Sequence, residues 1–129
     1  MHINHIDLQV PDVAVTRDFF IEQFGFTLVC SHSDEGFAIL RDSAGLELGL
    51  GQLADNRTGA HATVRAGCDL GFMLPSRHAF DAVFARLREN GVEFRNAPAG
   101  PLRVGAFGCL APGGVALEIA WRPAQGGRR

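Results

Sequence analysis

The chain contains an internal repeat, and a repeat of this length restricts the fold more than any single motif does. His5-Ile6-Asp7-Leu8-Gln9-Val10-Pro11-Asp12 leads into a helical stretch that closes at Phe24-Gly25-Phe26. Asp69-Leu70-Gly71-Phe72-Met73-Leu74-Pro75-Ser76 leads into a second one, closing at Asn90-Gly91-Val92. The spacing is 64 residues from Pro11 to Pro75 and 66 from Gly25 to Gly91. Each copy ends in a strand-like run with one acid among apolar residues, Leu46-Glu47-Leu48 and Leu117-Glu118-Ile119. A repeat that returns acidic and imidazole side chains to matching places points to a site built between the copies.

Local patterning fills in the units. Ile6, Leu8 and Val10 alternate with His5, Asp7 and Gln9, the period of a half-buried strand. Asp12 is placed to cap a helix whose apolar face is Val13, Thr16, Phe20 and Phe24, and Gly25 suits the left-handed residue that stops it. Strands are expected at about 26–32, 36–41 and 45–50, with turns at Asp34-Glu35-Gly36 and Asp42-Ser43-Ala44-Gly45. The second unit repeats the plan. A strand at 69–74 precedes a helix from Ser76 to Asn90 with Phe80, Val83, Phe84 and Leu87 as its buried stripe. Strands near 92–96, 103–110 and 115–122 follow, the last two joined by Ala111-Pro112-Gly113-Gly114. The expected class is α+β: two tandem βαβββ modules, 1–51 and 68–122, in a single domain spanning 1–122. Residues 52–67 read as the connector, and 123–129 as a frayed tail.

Composition narrows the function classes. At 129 residues the chain can bury a real core, and 47% hydrophobic with 20% charged residues is ordinary for a soluble globular domain. A net charge of −2 without a basic stripe argues against nucleic acid. No apolar run approaches a membrane span, and no secretion signal precedes the first strand. Three cysteines, Cys30, Cys68 and Cys109, lack metal-type spacing and read as reduced, buried thiols of a cytoplasmic protein.

Alternation also assigns faces. If Ile6, Leu8 and Val10 pack under the first helix, His5 looks out from the opposite face. The same argument places Glu47 opposite Leu46, Leu48 and Leu50. Asp69, with Gly71 and Met73, lies opposite Leu70, Phe72 and Leu74. Glu118 lies opposite Leu117 and Ile119, with Trp121 on the packed side. Gly49, Ala116 and Ala120 flank the acids and leave room for a ligand. Three carboxylates around one hollow repel, so a cation is expected there, or else a guanidinium such as Arg103 or Arg122. His2, His32, His61 and His78 have no partner in the repeat and read as surface residues.

The paired units, the helix-closing Phe24-Gly25-Phe26 and the run Ala111-Pro112-Gly113-Gly114-Val115-Ala116-Leu117-Glu118-Ile119 resemble the vicinal oxygen chelate superfamily over about residues 2–122. That superfamily includes glyoxalase I, bleomycin-resistance proteins, extradiol dioxygenases and fosfomycin-resistance enzymes. The resemblance implies a glyoxalase-like fold in which the two modules form a cupped, partly open β-barrel. It also implies metal ligands at His5, Glu47, Asp69 and Glu118, with Glu118 or Glu47 shuttling a proton. Asp69 departs from the His that glyoxalase I usually presents, and its shorter side chain leaves direct ligation and ligation through water both open. One imidazole with three carboxylates suits a divalent ion such as Mn²⁺ or Fe²⁺, with Zn²⁺ and Ni²⁺ as further candidates. Gln9 stands where glyoxalase I commonly has an Arg for glutathione, which argues against that particular activity.

Two functions follow from the resemblance. One is a metal-dependent lyase or isomerase that chelates a small substrate through adjacent oxygens. The other is a metal-free protein of the bleomycin-resistance type that sequesters a drug or metabolite in an apolar groove. Gln9, Phe37, Met73, Arg103 and Phe107 are the expected pocket wall. A homodimer with two equivalent sites is expected in either case.

Overall fold

The computed structural model describes residues 1–32, 34, 36–53, 69–96 and 105–123. Arg103, Cys68, His61, most of the expected 52–67 connector and residues 124–129 lie outside that set. The chain divides into two compact units, Met1–Arg65 with Pro112–Val115, and Ala66–Ala111 with Ala116–Arg129.

In the first unit the order is β1 (His5–Val10), α1 (Val13–Phe24), β2 (Thr27–His32), β3 (Phe37–Arg41) and β4 (Glu47–Gln52). Asp12 caps α1 by accepting a hydrogen bond from the Val15 amide at 3.0 Å. Thr16, fully buried, returns its hydroxyl to the Asp12 carbonyl at 2.7 Å, so the stripe contains no unsatisfied polar group there. Gly25, at φ 68°, ends the helix, and its N–H donates to the Ile21 carbonyl at 3.2 Å. The strands form a sheet in the order β1-β4-β3-β2, with β1 parallel to β4 and the other pairs antiparallel. Val10, Phe20, Leu40 and Leu50 are at most 1% exposed and form its core. Each such side chain contributes roughly 1.5–3 kcal/mol by leaving water.

The second unit contains β5 (Leu70–Leu74), α2 (Arg77–Glu89), β6 (Glu93–Asn96), β7 (Gly105–Ala111) and β8 (Val115–Trp121). Ser76 caps α2 by accepting from the Ala79 amide at 3.0 Å, and Gly91 beyond its end sits at φ 73°. The sheet order β5-β8-β7-β6, with β5 parallel to β8, repeats the first. Under α2 the Phe107 ring lies 5.3 Å from Phe80, 5.3 Å from Phe84 and 5.5 Å from Phe94, centroid to centroid. These elements form the α+β fold expected from the repeat.

Differences from the sequence reading are local. β4 begins at Glu47 rather than 45 because the preceding turn uses those residues. The Asp42 carboxylate accepts from the Ala44 and Leu46 amides at 2.9 and 2.8 Å. β4 then runs to Gln52, one residue into the expected connector. Val83 and Phe84 are half-buried, so the fully buried stripe of α2 reduces to Phe80 and Leu87. Cys109 is buried, but Cys30 on the edge strand β2 is only half-buried; both thiols are free.

Candidate functional site

In the first unit, parallel pairing sets His5 directly opposite Glu47, Asp7 opposite Gly49 and Gln9 opposite Gly51. Leu8, Val10, Leu48 and Leu50 turn to the helix and are buried, which leaves those three pairs on the other face. A cavity of about 140 Å³ there is lined by Asn4, His5, Asp7, Ile39, Glu47 and Gly49. The two glycines have a purpose. The Asp7 carboxylate lies where a Cβ on Gly49 would be, and the Gln9 amide nitrogen would stand 2.9 Å from one on Gly51. Side chains of β1 therefore lean across a floor of bare backbone.

Two contacts fix the ends of this row. His5 Nδ1 donates to the Asn4 amide oxygen at 2.6 Å, and that assignment leaves Nε2 as the ring's acceptor. Arg41, the cross-strand neighbour of Glu47, places Nη2 3.7 Å from its carboxylate. Both partners are partly solvated, at 51% and 30% exposed, so the pair stabilises by at most about 1 kcal/mol.

The second unit holds a larger cavity, about 290 Å³, lined by Asp69, Arg95, Ala106, Phe107, Gly108, Leu117 and Glu118. Asp69 precedes β5, and Glu118 is the exposed residue of β8. Arg95 Nη1 stands 3.5 Å from Asp69. Along β7 every second residue from Gly105 is buried, so Ala106 and Gly108 turn to the cavity while Phe107 turns to α2. Phe107 is 1% exposed and borders the cavity through its backbone.

The expected residues thus fall in two cavities, His5 and Glu47 in the first unit's and Asp69 and Glu118 in the second's. The match between them is looser than the sequence suggests. Glu47 faces His5, whereas Glu118 faces Gly71, two residues beyond Asp69. At the Glu118 register the first unit has Gly49, with the acid (Asp7) supplied by the neighbouring strand instead. Among the described residues, no group of three or more His, Cys, Asp and Glu side chains is close enough to hold a metal ion. Of the expected pocket wall, Gln9 lies over Gly51 and is not among the residues lining the first cavity. Phe37 stacks on His32 with centroids 4.8 Å apart, and Met73 is 57% exposed; neither lines a described cavity.

Asp7, Arg41 and Arg95 were missed by the sequence reading. Asp7 shared the His5 alternation and could have been found from it. Arg41 was reachable by counting back across the Asp42–Gly45 turn from Glu47. Arg95 gave no such signal.

One further group is perturbed. Burial pushes the Cys109 thiol up from 9.0 to about 11, because the thiolate would lose its hydration inside the sheet. It is a core residue with no access to either cavity. Among the described residues, no helix is long and apolar enough to cross a membrane.

Comparison with known proteins agrees with this architecture. A possible glyoxalase from Bacillus cereus is 28% identical, with a TM-score of 0.76 over 92% of this chain and 97% of that one. A glyoxalase/bleomycin resistance protein/dioxygenase from Nocardioides is 25% identical, with a TM-score of 0.69 over 100% of this chain and 89% of that one. A lactoylglutathione lyase from Agrobacterium tumefaciens, 15% identical, has a TM-score of 0.72 over 93% and 92%, a likeness of fold alone. No curated protein matches the chain significantly. The family model matches residues 2–119, and the chain belongs to the Glyoxalase/Bleomycin resistance protein/Dioxygenase superfamily.

Proposed function

We propose that the protein is a metal-dependent enzyme of the glyoxalase-like kind, acting on a small substrate with two adjacent oxygens. The observation that carries this reading is the pairing of His5 with Glu47 on one face, where both line a cavity of about 140 Å³. Donors of the kind a divalent ion takes support this reading, although the described residues bring only two of them together at His5 and Glu47. His5 offers Nε2 once Nδ1 is held by Asn4, and among the described residues Glu47 is restrained by a long, solvated contact to Arg41. The ligands that the resemblance implies include no thiolate, which suits Mn²⁺ or Fe²⁺.

A bound divalent cation supplies Lewis acidity to the paired substrate oxygens. The chain's own groups do the rest. Glu118 is exposed and has no ion-pair partner among the described residues, so it is the carboxylate best placed to take a proton from the carbon beside a carbonyl. Glu47, the second candidate for that role, is restrained by Arg41. The same reading has the protein working as a homodimer in the cytoplasm with its thiols reduced.

The test is a metal-titrated thermal melt with elemental analysis of the purified protein. Saturating Mn²⁺, Fe²⁺, Zn²⁺ or Ni²⁺ is expected to stabilise by about 2–4 kcal/mol, and Glu47→Ala or Glu118→Ala to abolish the effect. Size-exclusion chromatography giving a clean monomer would count against the dimer.

A second reading has its own observation. Arg41 and Arg95 already oppose two of the three carboxylates, so charge is partly balanced without a cation. Indifference to every metal, with tight binding of an aromatic or glycopeptide drug, would favour the metal-free resistance-type protein.

A further inference from the structure

The repeat makes one position of the second module stand out. β2 and β6 each carry a bulge at the same place, four residues beyond the left-handed glycine that follows the helix. In the first module the register shift falls between Leu28 and Cys30, so the extra residue is Val29, which is 41% exposed. In the second it falls between Phe94 and Asn96, and the extra residue is Arg95. A bulge bends its strand and re-aims the side chain it carries. Here it accompanies a guanidinium that lines the second module's cavity, above a floor kept low by Ala106 and Gly108.

Neither solvation nor Asp69 explains this arrangement. An arginine on an edge strand reaches water from any outward position. The contact to Asp69 runs through Nη1 alone at 3.5 Å, with both side chains about half exposed, the weak end of ion pairing. Such a contact is easily exchanged for a better one.

We propose that Arg95 recognises the carboxylate of the substrate, and that the substrate class is a small acid with an oxygen next to that carboxylate, a 2-hydroxy or 2-oxo acid. This deepens the small-molecule reading above and rests on it. The guanidinium fork presents parallel N–H donors to a planar carboxylate, so two short bonds replace one long contact. Asp69 is released in the exchange. Among the described lining residues Arg95 is the only cation, beside the acids Asp69 and Glu118, so the preference for an acid over its neutral analogue depends on it.

The test compares lactate with lactamide and pyruvate with pyruvamide, titrated calorimetrically into the full chain with and without Mn²⁺. The acids are expected to bind about tenfold tighter than the amides or better. Arg95→Val, which installs the side chain the first module tolerates at its own bulge, is expected to remove that preference while leaving the melting temperature unchanged. Arg95→Lys is expected to retain part of it, as a point charge without the fork. Equal affinity for acid and amide, no measurable binding of either, or a preference that survives in Arg95→Val overturns the proposal. The metal reading fails separately. If no metal stabilises any of these proteins while the acid preference persists, the metal is lost and Arg95 stands. If Arg95→Val keeps its metal response and the wild type shows no acid preference, the reverse holds.

Discussion

The two modules share a plan and treat their acids differently. In the first, a histidine and a glutamate face each other across parallel strands, and a second carboxylate from the same edge strand lies over a glycine. In the second, the glutamate faces a glycine that nothing covers, and the space is open enough to form the larger cavity. The bulged residue is valine in one and arginine in the other. The lesson is that duplication preserved the scaffold while each copy could specialise. The first cavity is the smaller, about 140 Å³ against about 290 Å³ in the second.

That comparison can be broken first at the cores. Phe107→Ala removes a ring 1% exposed that touches three other rings, and Phe20→Ala removes a fully buried one from the first module. Each is expected to cost about 3–5 kcal/mol in denaturant unfolding. A loss under about 1 kcal/mol for Phe107 would mean its ring is not core.

Alkaline pH should distinguish the modules next. The Cys109 thiol in the folded chain titrates at about 11, above its ordinary 9.0. Below about pH 9 both states keep the proton, and the stability is fully present. As pH rises from 9 toward 11 the unfolded chain ionises and the folded one resists, so stability is lost, by up to about 2–3 kcal/mol. Cys109→Ala lowers the baseline by leaving a small cavity, but it should flatten that slope in melts taken across the window. An unchanged slope would show that another group is responsible.

Smaller effects test whether the helices are equivalent. Asp12→Ala and Ser76→Ala each remove one cap and should each cost about 1 kcal/mol. A marked inequality between them would show that one helix is held mainly by packing. Smallest of all, Arg41→Gln should change stability by under about 1 kcal/mol, since its ion pair is long and solvated. A larger loss would mean that Glu47 depends on Arg41 and is not free to take a metal.

Much of the fold was legible in the chain because it is encoded locally. Asp12 and Ser76 cap the helices, Gly25 and Gly91 follow them at positive φ, and alternation along β1 and β4 separates the packed from the open face. Each of these signals lies within a few residues of its effect. The candidate site was only half legible. Same-face placement of His5, Glu47, Asp69 and Glu118 could be read, but which of them sit opposite each other could not. Arg103, an expected counter-charge, lies outside the described residues; among those described, Arg41 and Arg95 stand against Glu47 and Asp69.

By itself the sequence determined the duplicated order of strands and helices, their ends, and which side of each strand could meet a ligand, because periodicity and capping act through neighbouring residues. Tertiary structure alone decided the parallel register that sets Glu47 opposite His5 but Glu118 opposite Gly71, and the bulge that carries Arg95. Register and bulges depend on how distant segments pack side by side, and a two-residue slip keeps every residue on its face while changing all of its partners.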